Sequence, residues 1–183
     1  MPKFIGIKQL WYCDVIGNNI SQSDIATLIA GGTEVKNIHQ DTWGYTQDDP
    51  STTDYKNELT GENYFRDVTE RGNKTINFTM GEYDYQAKAD LQGGEVIKDS
   101  SNNPIGWKAS GSLDIIHKGI IALTKTGTYI IFTNANIVGK GDQQQKAVGL
   151  GVTAVAEENP ATYTENDVTK NVEDEYWFDA PSA

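Results

Sequence analysis

The stretch from Ile115 to Ala156 constrains the fold most. Ile115–Thr124 (IIHKGIIALT) is a strong strand run, Lys125-Thr126-Gly127-Thr128 is a tight turn, and Tyr129–Thr133 (YIIFT) is the returning strand. Asn134–Gly139 and Val148–Ala156 (VGLGVTAVA) continue the series, separated by the polar Lys140–Lys146. Strands this close together can pair only through short connections, so the sheet they build is antiparallel, a sandwich or a barrel. A parallel α/β sheet would need a helix between successive strands, and the sequence offers none there.

The upstream half repeats the theme. Ile5–Val15 (IGIKQLWYCDV) reads as a first strand, Gly17-Asn18-Asn19 as a turn, and Asp24–Ala30 as a short helix capped by Ser21 or Ser23 and ended by Gly31-Gly32. Ile25, Leu28 and Ile29 fall at helical spacing, which predicts that this helix lies on a sheet face. Glu34–Ile38 alternates as a strand. Tyr64–Thr69 and Lys74–Gly81 (KTINFTMG) read as a pair turned by Glu70-Arg71-Gly72-Asn73, with Ile76, Phe78 and Met80 sharing one face. Tyr83–Leu91 is helical in character and stops at Gly93, Asp99–Pro104 is a turn cluster, and Ile105–Ala109 is a weak strand. The fold class expected is mainly β: an antiparallel β-sandwich or barrel with two short helices and one long inter-strand loop. A chain of 183 residues is enough for one core, and 37% hydrophobic content with 18 glycines suits short strands joined by turns.

The long loop is Gln40–Asn63 (QDTWGYTQDDPSTTDYKNELTGEN). Its acids Asp41, Asp48, Asp49, Asp54, Glu58 and Glu62 face one base, Lys56, and it carries Trp43, Tyr45 and Tyr55. Each ring left in water forgoes on the order of 1.5–3 kcal/mol of burial, so a mere linker has no reason to hold them. The loop reads as an arm that docks outside its own domain. Glu157–Ala183 forms an acidic extension to a domain spanning residues 1–156. Glu157, Glu158, Glu165, Asp167, Glu173, Asp174, Glu175 and Asp179 stand against Lys170, the composition of a solvated tail. Tyr176-Trp177-Phe178 departs from that pattern and is expected to pack on this subunit or on a neighbour.

Sites for chemistry are sought and not found. His39 and His117 belong to no nucleophile triad or zinc pattern, and His117 reads as structural. Gly139-Lys140-Gly141-Asp142 lacks the spacing of a phosphate-binding loop and reads as a plain loop. Glu82 and Asp84 read as helix-start charges rather than a glycosidase pair, and Asp99–Asn103 lacks the glycine and distal glutamate of a calcium loop. Cys13 is alone and sits in an apolar run, so it reads as a small buried hydrophobe. No catalytic residue, cofactor, metal or small-molecule substrate is expected. A net charge of −11 argues against wrapping nucleic acid, although an acidic channel would let DNA slide without holding it. No stretch approaches the roughly 18 apolar residues of a membrane span, and Met1-Pro2-Lys3-Phe4 leads towards a strand rather than an export leader.

The order of elements (strand, helix, strand, long polar loop, paired strands, helix ending in Gly93-Gly94, then hairpins) resembles that of the major tail (tube) proteins of long-tailed bacteriophages. The loop Gln40–Asn63, Lys74–Gly81 with the following helix, Ala122–Gly139 and Val148–Ala156 carry the resemblance. Glu157–Ala183 is not part of the shared pattern. The resemblance implies subunits that form hexameric rings, stack into a tube with an acidic lumen and send the long loop towards neighbours. It also implies other tail proteins as partners, DNA passing through without specific binding, and location in the virion after assembly in the bacterial host cytoplasm. The expected subunit interface is Trp43, Tyr45, Tyr55, Tyr64, Phe65, Tyr176 and Trp177. The alternatives are the inner tube of a phage-derived injection or secretion system, a carbohydrate-binding β-sandwich in which exposed Trp and Tyr stack on sugars, and a carboxylate enzyme using Glu82.

Overall fold

The computed structural model describes residues 3–112, 114–144 and 146–181. Met1-Pro2 and the last two residues of the expected extension lie outside them. In chain order the strands are β1 (Gln9–Cys13), β2 (Thr33–Glu34), β3 (Gly44–Gln47), β4 (Ser51–Lys56), β5 (Asn63–Glu70), β6 (Lys74–Met80), β7 (Glu95–Lys98), β8 (Pro104–Lys108), β9 (Ile116–Leu123), β10 (Thr128–Gln144), β11 (Ala147–Ala156), β12 (Thr162–Glu165), β13 (Val168–Asn171) and β14 (Glu175–Asp179). The helices are α1 (Ile25–Gly31) and α2 (Tyr85–Gln92). The mainly β, antiparallel architecture with two short helices is as the sequence predicts.

One eight-stranded sheet carries the molecule in the order β2-β1-β9-β10-β11-β6-β3, with β14 also on β10. Its pivot is β10, at 17 residues long enough to serve two layers. Thr128–Phe132 pairs with β14, Ala135–Gln144 pairs with β11, and the register against β9 shifts between Phe132 and Ala135. Such an irregularity bends a strand, and here it separates a β2-β1-β9-β10-β14 layer from a β10-β11-β6-β3 layer. The main core fills the space between: Leu10, Tyr12, Ile120, Ala122, Ile130 and Phe132 from one layer meet Ile76, Phe78, Met80, Leu150, Val152 and Ala154 from the other. Alternation then turns Trp11, Ile121, Leu123 and Ile131 to the opposite face, where α1 covers them with Ile25, Leu28 and Ile29. The middle of the first layer, β9 and the first half of β10, is thus buried on both sides, which explains why Ile120–Leu123 and Ile130–Phe132 read as unbroken apolar runs.

Two further elements close the sandwich. Asp84 caps α2 by accepting from the Ala87 N–H at 2.7 Å, and Ala87 and Leu91 enter the main core. The helix ends where Gly93 and Gly94 adopt φ of +82° and +89°, a region that favours glycine. Across the other opening, Tyr45 on β3 stands edge-on to Trp177 of β14, with ring centroids 5.6 Å apart, and donates to Glu175 Oε1 at 2.8 Å. Lys74 binds Asp174 at 2.9 Å and Glu175 at 3.1 Å. Burial works to lower the Lys74 pKa, but its hydrogen bonds to the two carboxylates outweigh this and keep the ammonium charged.

Several expectations are corrected. Gln40–Asn63 is not a structureless loop, because β3 joins the main sheet beside β6 and β4 pairs with β5. Accordingly β5 is not the partner of β6, which lies between β11 and β3. The expected strand Glu34–Ile38 shrinks to β2 and a single Ile38–Met80 bridge. Tyr129–Thr133 and Asn134–Gly139 are one strand, and Gly139–Asp142 is part of it rather than a loop. The acidic extension is not a solvated tail: β12 and β13 form a hairpin, β14 is a strand of the main sheet, and Asn159 and Val172 are buried. Counting charges missed this because Tyr176 and Phe178 pack in the second core while Glu175 and Trp177, on the other face of β14, pair with Tyr45.

Cys13 packs against the second core but is half-buried, rather than buried as its apolar surroundings predict. Burial and the neighbouring Asp14 carboxylate push the thiol from an ordinary 9.0 up to about 11. This leaves about a hundredth of the usual thiolate fraction at mildly alkaline pH. Because the thiolate that does form is more nucleophilic, alkylation by iodoacetamide at that pH is expected to be slower by about tenfold or more in the folded protein than in urea. Equal rates in the two states would contradict the placement of Cys13.

Candidate functional site

The feature without an internal purpose is the β4–β5 hairpin. Its pairing runs from Ser51 opposite Glu70 to Lys56 opposite Asn63, and every residue of both strands is exposed. It projects from the sandwich as an arm, and a two-stranded hairpin by itself is marginally stable at best in water.

Local chemistry gives the arm its shape. At the tip Asn57 donates its N–H to the Glu62 carbonyl at 2.8 Å, Gly61 donates to Asn57 O at 2.7 Å with φ +75°, and the Asn57 side chain accepts from the Leu59 N–H at 2.9 Å. Along one face Tyr55 opposes Phe65, with ring centroids 5.7 Å apart, a cross-strand pair contributing roughly 0.2–1 kcal/mol. The opposite face carries the Asp54–Arg66 fork, with Arg66 Nη2 donating to Asp54 Oδ2 at 2.9 Å. The Arg66 guanidinium holds the Asp54 carboxyl below its usual range. The folded value is the depressed one, so this support is present at neutral pH and is lost as pH falls through it. At the neck, Asp48 donates to Asn73 O at 2.9 Å, and a Cβ on Gly72 would lie 1.7 Å from Asp48 O. Only glycine lets the two chains of the neck come this close.

The arm carries apolar side chains that nothing among the described residues covers. Leu59 at the tip is 96% exposed, Tyr64 70%, Val68 58%, Phe65 55% and Tyr55 44%. A structured element that keeps these side chains in water has the character of a docking element.

The residues expected at a subunit interface divide between two places. Tyr55, Tyr64 and Phe65 lie on the arm. Trp43 and Tyr45 do not: both are half-buried against the main core, and Tyr45 also packs 6.2 Å from Phe132. Tyr176 packs in the second core, stacked on Phe178, and its hydroxyl donates to Asn19 at 2.9 Å. Trp177 is 39% exposed between Tyr45 and Phe4. Leu59 and Val68 were missed. For Leu59 a signal existed, since it is the one apolar residue between Tyr55 and Tyr64.

Other candidate chemistry resolves into structure. His117 lies on β9, 2.8 Å from Glu157. Asp99 accepts from the N–H groups of Ser101 and Asn103, a side-chain-closed turn. Among the described residues no group of His, Cys, Asp and Glu is placed to hold a metal ion, and no helix is long and apolar enough to cross a membrane. Comparison with protein families and with curated proteins finds no match for this sequence.

Proposed function

We propose that this chain is a structural subunit that self-assembles through its β4–β5 arm into closed rings, which stack into a tube of the phage-tail kind. The observation that carries the reading is the free-standing hairpin, shaped at tip and neck, with Tyr55, Leu59, Tyr64, Phe65 and Val68 exposed among its polar residues. An arm reaching from each copy to a different surface on the next is a heterologous contact, which generates a ring when the rotation closes. Burying the exposed arm side chains contributes on the order of 1.5–3 kcal/mol for each one fully covered. The hexameric count comes from the resemblance in element order.

In this reading the role is mechanical rather than catalytic. The partners are further copies and other tail proteins, and the location is the virion tail after assembly in the host cytoplasm. A net charge of −11 suits a conduit, because an acidic wall repels the phosphate backbone and lets DNA pass without being held. The inner tube of a phage-derived injection or secretion system would use the same mechanics. A carbohydrate-binding role draws no support from Trp43 and Tyr45, whose rings serve the core.

Negative-stain microscopy and sedimentation of the concentrated protein test the reading. Rings or tubes with a central hole are expected. A monomer at every concentration up to the solubility limit overturns it.

A further inference from the structure

The arm needs an acceptor, and one surface of the same chain complements its tip. Between the N-terminal segment and the residues leading into β3 lies a groove of about 540 Å³ lined by Gly6, Ile7, Ile38, Trp43, Asp41 and Lys125, among others. Ile7, Ile38 and Trp43 pack on the main core from outside and leave their outer surfaces to the groove. Lys125 is exposed, and among the described residues no carboxylate forms a salt bridge with it. Its position is defined: its N–H donates to Ile5 O at 3.1 Å, and its stem lies across Gly6, where a Cβ would stand 3.1 Å from Lys125 Cδ.

The arm tip presents the inverse pattern. Leu59 stands out on a hydrogen-bonded turn, flanked by Glu58 and Glu62. Resting on the assembly reading above, we propose that Leu59 of one copy seats among Ile7, Ile38 and Trp43 of a second copy, with Glu58 and Glu62 against Lys125. Asp41, on the same groove, sets the direction of approach: the tip acids must enter from the Lys125 side, since like charges brought together oppose association. The tip turn is already formed in the single subunit, so seating it loses little conformational entropy.

Three full-length variants test this: Leu59→Asp, Lys125→Glu, and Glu58→Lys with Glu62→Lys. All these side chains lie on the surface, and each variant is expected to fold with an unchanged melting temperature. Leu59→Asp is expected to raise the concentration for half-assembly by about tenfold or more, which corresponds to about 1.4 kcal/mol per decade. Lys125→Glu and the tip double are each expected to weaken assembly, and the chain combining them to recover it. In a Cys13→Ser background, Leu59→Cys with Ile38→Cys is expected to give a disulfide-linked ladder on oxidation. Wild-type assembly with undiminished assembly of Leu59→Asp and Lys125→Glu overturns the groove and leaves the assembly reading intact. A wild-type chain that stays monomeric overturns both.

Discussion

Replacing Asn159 with leucine is expected to destabilise the fold by about 2–6 kcal/mol, summed over the two groups it leaves unpaired at about 1–3 kcal/mol each. The Asn159 side chain is fully buried and makes three bonds: Nδ2 donates to Ile16 O at 2.8 Å and to Thr133 Oγ1 at 3.0 Å, and Oδ1 accepts from the Ala161 N–H at 3.0 Å. Leucine fills similar space and leaves the Ile16 carbonyl and the Ala161 N–H with no partner. The position matters because Thr133 and Asn134 sit where β10 changes partners. Thr133 donates its N–H to Asp174 O at 3.0 Å and its hydroxyl to Glu173 O at 2.6 Å, and Asn134 Nδ2 donates to Glu158 O at 2.8 Å. Asn159 therefore ties the loop after β1, the bend of β10 and the chain leading to β12 at one point. Urea denaturation measures the effect as a lowered midpoint. A loss below about 0.5 kcal/mol, the range of an ordinary surface substitution, would mean that the network is dispensable.

The second large effect separates assembly from folding. Tyr55→Ser with Phe65→Ser removes the aromatic pair of the arm, and both residues are about half exposed with no part in the core. The double variant is expected to keep the melting temperature of the parent and to lose ring formation. Tyr45→Ser is expected to do the reverse first. Its ring packs on Phe132 and Trp177, its hydroxyl donates to Glu175, and burial with that contact pushes its phenol pKa well above the usual range. Truncating a large buried aromatic costs about 3–5 kcal/mol, and a half-buried one less, so about 2 kcal/mol is expected here, with a clearly lower melting temperature. Differential scanning calorimetry and sedimentation velocity on the two variants check the pair. The division between arm and core is wrong if the double variant assembles like the parent, or if Tyr45→Ser melts unchanged.

The same contrast shows how far the sequence reaches. Tyr45 and Tyr55 stand ten residues apart in one polar stretch, both tyrosines among acids, and local composition treats them alike. What separates them is pairing: β3 joins β6, which carries Tyr45 over the core, whereas β4 and β5 form a separate two-stranded sheet among the described residues, which leaves Tyr55 exposed. Of the two arm strands, β5 is legible as Tyr64–Thr69 but with the wrong partner, and β4 is illegible as a strand for a related reason. The period-2 signal exists when one face is buried and the other is wet, and on this hairpin both faces are wet. Glu175 was likewise counted as one more acid of a tail, although it gathers Tyr45, Lys74 and the indole N–H of Trp177 at the seam between β3, β6 and β14.

Where burial is strong, sequence and structure coincide. The apolar runs of β9, β10 and β11, the turn at Lys125–Gly127, the face shared by Ile76, Phe78 and Met80, the apolar stripe of α1 and the glycine stop of α2 all follow from side-chain period and turn chemistry within a few residues of the chain. These local terms determined the antiparallel, mainly β architecture. Tertiary structure alone decided that β10 is a single strand serving two layers, that the acidic C-terminal residues return to the sheet as β14, and which aromatics of the Gln40–Asn63 stretch face the core. Those outcomes depend on contacts between residues far apart in the chain, such as Tyr45 with Glu175 and Asn159 with Ile16. Such contacts arise from packing and hydrogen-bond satisfaction, and they leave no periodic trace in the sequence.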